Sequence, residues 1–137
     1  MLQKSIAYFQ VKIIKRLSEP NKFSFWTALC WTFLIFYLSF KVPSGVPKFE
    51  LPYADKIVHF GFYFGFVFLW YRYLYYRKMI KSNFKMWLLL LSVSLGIFIE
   101  IAQGMFTLNR QADFFDALSN TFGSVLGLIT VSQLMKQ

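Results

Sequence analysis

GIFIEIAQGMFTLNRQADFFDALSNTFGSVLG, residues 96–127, decides how this chain is read. Glu100 and Gln103 close one apolar segment, Arg110 and Asp113 stand in the turn, and Asp116 and Asn120 open the next apolar segment. Glu100 and Gln103 are spaced i, i+3, and Asp113, Asp116 and Asn120 follow the same helical rule, so each set shares one helix face. The spacing predicts two apolar helices joined by a polar turn, with polar groups gathered at the turn end. A second stretch of the same character, Asp55-Lys56-Ile57-Val58-His59, lies upstream, and Asp55, His59 and Tyr63 are at i, i+4 and i+8.

Outside these stretches the chain is apolar and aromatic. Its 137 residues are 57% hydrophobic, 22% aromatic and only 15% charged, against roughly 25% charged in soluble domains. A water-soluble protein this small cannot bury that much Phe, Trp and Tyr. One integral membrane domain over residues 1–137 is expected. A net charge of +9 would suggest nucleic acid in a soluble protein. Here the basic residues flank apolar segments, so they orient helices in a membrane and no nucleic-acid partner is expected. The single cysteine, Cys30, has no partner for an intrachain disulfide, and a zinc site needs several ligands. It reads as packing.

Four apolar segments, about residues 23–40, 56–76, 86–105 and 114–135, predict an all-α membrane protein with four transmembrane helices in a bundle. The connection at 41–53 carries Pro43, Pro47 and Pro52 and reads as a loop. Residues 1–19 do not read as a signal peptide, because Lys4, Lys12, Lys15 and Arg16 interrupt any apolar core. Leu2, Ile6, Phe9, Ile13 and Leu17 recur at helical spacing, as in a short amphipathic helix on the membrane surface; the alternative is a basic tail that orders only near lipid.

Eleven Lys and Arg residues fall in the N-terminal segment, the second connection and the C-terminal end, against four (Lys41, Lys48, Lys56 and Arg110) on the other side. The positive-inside rule then predicts cytoplasmic termini, with both polar stretches facing outward. At about 1.5 Å per residue in a core of roughly 30 Å, His59, Glu100 and Asn120 fall some 20–24 Å from the basic side, in one outer layer.

Ionisable groups inside a membrane are costly and usually face a cavity or one another. A lone Asn or Gln there is more often glue between helices. Asp55, Lys56, His59, Tyr63, Glu100, Gln103, Arg110, Asp113, Asp116 and Asn120 together read instead as a binding pocket. Glu100, the deepest carboxylate, requires a partner, for which Arg110 and His59 are the candidates, or it is neutral. Gly61-x-x-x-Gly65 and Gly123-x-x-x-Gly127 read as sites of close helix approach. Tyr53, Tyr71 and Trp87 read as interface anchors.

These residues resemble the VanZ-like family of small bacterial membrane proteins. The matching pieces are Asp55-Lys56-x-x-His59-Phe60-x-x-Tyr63, Glu100-x-x-Gln103, and Arg110-x-x-Asp113-x-x-Asp116-x-x-x-Asn120-x-x-Gly123-x-x-x-Gly127, spanning residues from about 30 to 135. The resemblance implies a multi-pass protein of the bacterial cytoplasmic membrane. The family takes its name from a member linked to low-level teicoplanin resistance, and the resemblance carries no reaction with it.

Three function classes fit. A binding protein would use Arg110 and Lys56 for an anionic group and its aromatics for a chain or sugar face, which suits an anionic envelope lipid or lipid-linked wall precursor. A hydrolase or transferase acting on a lipid-linked phosphate would use His59 or Glu100 as general base, with Asp113 and Asp116 available to a divalent ion. Against it stand the single His and the lack of a nucleophile beside an obvious base. Pro43-Ser44-Gly45 matches part of a lipid-phosphatase motif, but Val46 stands where that motif has His. The third class is a helper subunit that receives a helix of a partner protein. The sequence specifies no cofactor, no assigned metal and no protein partner.

Overall fold

The computed structural model describes residues 8–9, 23–41, 53–79, 83–106 and 112–135. These contain four long helices and no strand: α1 (Ser24–Phe40), α2 (Ala54–Tyr76), α3 (Phe84–Phe106) and α4 (Phe114–Leu134). The expected surface helix over 1–19 and the proline loop at 42–52 lie outside the described residues, except that Tyr8 and Phe9 are helical and exposed. By length and composition α3 and α4 are able to cross a membrane. The 17 residues of α1 are apolar and reach about 25 Å. The 23 residues of α2 are long enough, but Asp55, Lys56, His59, Arg72 and several tyrosines dilute its apolar character.

The packing is inverted relative to a soluble bundle. Trp26 and Phe33 on α1, Ile57 on α2, Leu91 and Phe98 on α3, and Phe115 and Phe122 on α4 are exposed. Ser92, Glu100, Gln103, Asn120, Ser124 and His59 are buried. Ser92 and Ser124 hydrogen bond at 2.7 Å between α3 and α4, and Ser124 also donates to the Asn120 carbonyl at 2.9 Å. On the other side, the Trp31 indole donates to the Phe62 carbonyl at 2.9 Å and that of Trp70 to Thr32 Oγ1 at 3.0 Å, joining α1 to α2. An apolar cluster of Ile35, Phe66, Val67, Ile99 and Val131 fills the middle.

The closest pair is α2 and α4. Gly123 and Gly127 permit it: a Cβ on Gly127 would stand 2.7 Å from the Phe64 carbonyl oxygen, and one on Gly123 would collide with the Phe60 carbonyl. The upstream pair divides. Gly65 lies against the Trp31 indole, whereas among the described residues nothing comes within 4 Å of a Cβ on Gly61. The expectation of close approach at Gly61 is therefore corrected, because this residue is on the outer surface of α2. Two further expectations change. Tyr71 is buried in the core, 3% exposed, while Tyr53 and Trp87 are exposed. Cys30 is exposed on α1 and does not pack in the interior.

Candidate functional site

Successive helices run antiparallel, so the C-terminal ends of α1 and α3 meet the N-terminal ends of α2 and α4. That end collects the polar residues. The first turns of α2 and α4 contain Asp55 and Asp116, where the partial positive charge of a helix N-terminus favours a carboxylate. Asp113 caps α4, its side chain accepting from the Phe115 backbone N–H at 2.8 Å.

Lys56 is the centre of one group. Its ammonium lies 2.8 Å from Asp113 Oδ2, 3.0 Å from Asp116 Oδ1 and 3.3 Å from Asp55 Oδ2. It thus ties the start of α2 to the start of α4. The Lys56 ammonium, followed by the Phe115 N–H, holds the Asp113 carboxyl below its usual range. A ligand anion approaching Lys56 would compete with three carboxylates.

His59 is the centre of the second group, one turn deeper. Its Nδ1 is 3.1 Å from Asn120 Oδ1 and 3.3 Å from Glu100 Oε1, and its Nε2 is 3.8 Å from Asp116 Oδ2. Of the two partners considered for Glu100, His59 is beside it, and the Asp113 backbone amide is within hydrogen-bonding range of its carboxylate. Arg110 lies outside the described residues, three positions before Asp113 in the chain. Gln103 donates to the Ser39 carbonyl at 2.6 Å and so fastens α3 to the end of α1. Tyr63 is buried one turn below His59, 1% exposed.

The helical spacings within α2, α3 and α4 therefore bring nine of the ten sequence candidates to one end of the bundle, and the tenth is Arg110. What the spacing does not give is their division into a lysine-centred and a histidine-centred group that share Asp116. Sequence reasoning also missed Ser39, whose signal was a polar residue near the end of an apolar run. A cleft of about 230 Å³, lined by Leu38, Ser39, Asp55, Val58, His59 and Phe62, opens beside His59.

Chemically, the arrangement offers a buried imidazole between carboxylates, suited to proton transfer or cation binding. A family model described as VanZ/LLP1 matches residues 10–135. No curated protein and no solved structure matches the chain.

Proposed function

The chain belongs to the VanZ/LLP1 family, and from that premise we propose that it is a four-span protein of the bacterial cytoplasmic membrane whose polar end recognises an anionic envelope lipid or lipid-linked wall precursor. In this reading both termini are cytoplasmic, and recognition of the lipid alters susceptibility to glycopeptide-type antibiotics. The inverted burial supports the membrane setting, since an apolar exterior around a polar interior matches hydrocarbon rather than water. One observation carries the recognition reading: four carboxylates, a lysine and a histidine converge at one end of an otherwise apolar bundle. Groups this costly to place in a membrane usually mark a ligand or ion path. The anionic group falls to Arg110, whose planar fork suits phosphate. Lys56, held by three carboxylates, shapes the site instead.

Native mass spectrometry of the protein with its co-isolated lipids tests the reading. One phosphate-bearing lipid per chain is expected in wild type and is lost in Arg110→Lys. Bulk phospholipid in the proportions of the membrane, with no retained species, would sink it.

The contact between His59 and Glu100 favours a second reading, hydrolysis or transfer at a lipid-linked phosphate with this pair as acid and base. Release of inorganic phosphate from a lipid-linked diphosphate by wild type, but not by His59→Gln, would select it. Absence of turnover at every pH would discard it.

A further inference from the structure

Asp116 belongs to two groups of ionisable side chains, and the two are balanced differently. Its Oδ1 joins Asp55 and Asp113 around Lys56, so that triad of carboxylates has a cation at its centre. Its Oδ2 faces His59 Nε2 at 3.8 Å, and Glu100 Oε1 is 3.3 Å from the other ring nitrogen. One donor atom from each of His59, Glu100 and Asp116 lies within 4.8 Å of the other two. Tetrahedral ligands bonded at about 2.0–2.1 Å stand roughly 3.3 Å apart, so small side-chain shifts bring these atoms to ligand spacing.

Acceptors face both ring nitrogens of His59: Asn120 Oδ1 and Glu100 Oε1 at Nδ1, and Asp116 Oδ2 at Nε2. Carboxylate oxygens gathered around one buried imidazole repel one another, and a cation among them reverses the sign.

A second observation is independent of that geometry. Glu100 Oε1, Tyr63 Oη and Asn120 Nδ2 are buried and make no hydrogen bond among the described residues. Glu100 is only 5% exposed, and its oxygen is aimed at His59. Native proteins rarely leave such atoms unsatisfied except where a ligand, ion or water belongs.

Charge gives a third argument. Asp55, Asp113 and Asp116 outnumber Lys56, so the lysine group by itself does not attract a phosphate. A divalent ion beside Asp116 would attract it.

We propose that His59, Glu100 and Asp116 bind one divalent transition-metal ion of the Zn²⁺ or Mn²⁺ class, with its open coordination position available to the phosphate of a lipid headgroup. The phosphate part rests on the recognition reading, and the ion site does not. One imidazole and two carboxylates suit such ions, whereas Ca²⁺ and Mg²⁺ prefer oxygen alone. The cleft beside His59 supplies access.

The test uses the full-length protein in detergent, stripped of metal, then incubated with Zn²⁺, Mn²⁺ or Mg²⁺ and desalted. One Zn²⁺ or Mn²⁺ per chain by elemental analysis is expected, with Mg²⁺ not retained. Glu100→Gln and His59→Gln are each expected to weaken retention by roughly 10–100-fold or more, since even outer partners of metal ligands matter that much. Ser132→Ala, near the opposite end of α4, keeps the ion. Because a misfolded variant also loses metal, the wild type is read directly with Co²⁺, whose visible absorption reports nitrogen and oxygen ligation. Substoichiometric metal in wild type, or retention unchanged in both Glu100→Gln and His59→Gln, overturns the site. Lipid retention measured on the same preparations separates the two readings. Lipid without metal overturns the ion site and leaves recognition standing; metal without lipid does the reverse.

Discussion

Removing the ammonium of Lys56 tests whether this residue is a clamp between α2 and α4. In Lys56→Met the aliphatic stem survives and the charge does not. Two of its contacts matter, to Asp113 at 2.8 Å and to Asp116 at 3.0 Å. The third, to Asp55, is 55% exposed on the acid's side and contributes little. Hydrogen bonds to charged groups contribute about 1.5–3 kcal/mol each. The side chains of Lys56 and Asp113 are 22% and 39% exposed, so screening moves both contacts toward the low end. We expect a loss of about 2–3 kcal/mol, most of it from leaving Asp113 and Asp116 as unpaired neighbours of like charge. Thermal melting of the purified protein in detergent measures the loss. The double variant Lys56→Met/Asp116→Asn closes a mutant cycle and should recover about 1 kcal/mol or more, because the stranded repulsion goes with the second charge. If Lys56→Met melts with wild type, or the two substitutions simply add, Lys56 is not the clamp and is available to a ligand.

The glycine pairs give opposite signs. Gly61→Ala should stabilise by up to about 1 kcal/mol through helix propensity, because no described residue lies within 4 Å of the new Cβ; Gly123→Ala, driven against the Phe60 carbonyl, should cost about 1–3 kcal/mol. Equal melting temperatures for the two variants would refute the α2–α4 contact. For pH, the Asp113 carboxyl is held below its ordinary value. Its contribution is therefore complete above the unfolded value of about 3.9 and is lost as pH falls through the folded value. Between pH 5 and 3, Asp113→Asn should lose stability less steeply than wild type, and parallel slopes would contradict the assignment. For orientation, single cysteines at Ser44 and at Ser82 in a Cys30→Ala background should react and fail to react, respectively, with an impermeant thiol reagent added outside. The reverse labelling places the polar end in the cytoplasm.

Helical periodicity made much of this arrangement legible. The four helices follow the four apolar segments, with α2 starting at Ala54 and α3 at Phe84, each two residues earlier than the apolar runs suggest. Glu100 with Gln103, and Asp116 with Asn120, share faces because i, i+3 and i, i+4 spacings are enforced within one helix. Contacts between helices are a different matter. No spacing links Lys56 to Asp113 and Asp116, so a lysine that reads as a free cation in sequence proves to be surrounded by carboxylates. Gly61-x-x-x-Gly65 and Gly123-x-x-x-Gly127 are the same pattern, but rotation of α2 places Gly61 outside while α4 turns both of its glycines inward. The Gln103 bond to a backbone carbonyl leaves no mark in sequence beyond a polar residue in an apolar run.

Helix association alone does not account for the polar end. The bundle already shows what glue between helices looks like: Ser92 against Ser124, and the Trp31 indole against the Phe62 carbonyl. These contacts use neutral groups that carry little penalty in hydrocarbon. A cluster of four carboxylates, one ammonium and one imidazole is a poor substitute, since well-packed apolar residues in place of buried ion pairs are often as stable or more so. The lysine group could be defended as a clamp at the water boundary, where Asp55 and Asp113 are partly exposed. The histidine group could not, because Glu100 adds an acceptor to a buried site and, among the described residues, receives no hydrogen bond at Oε1. Stability therefore explains Lys56 and its carboxylates better than it explains His59 and Glu100. A variant that removes the second group without loss of stability, such as His59→Gln with Glu100→Gln, should fold as well as wild type and lose the ion. If it instead unfolds as single neutral substitutions at Ser92 do, the histidine group stabilises the bundle as the serine pair does, and its cost in hydrocarbon no longer points to a ligand.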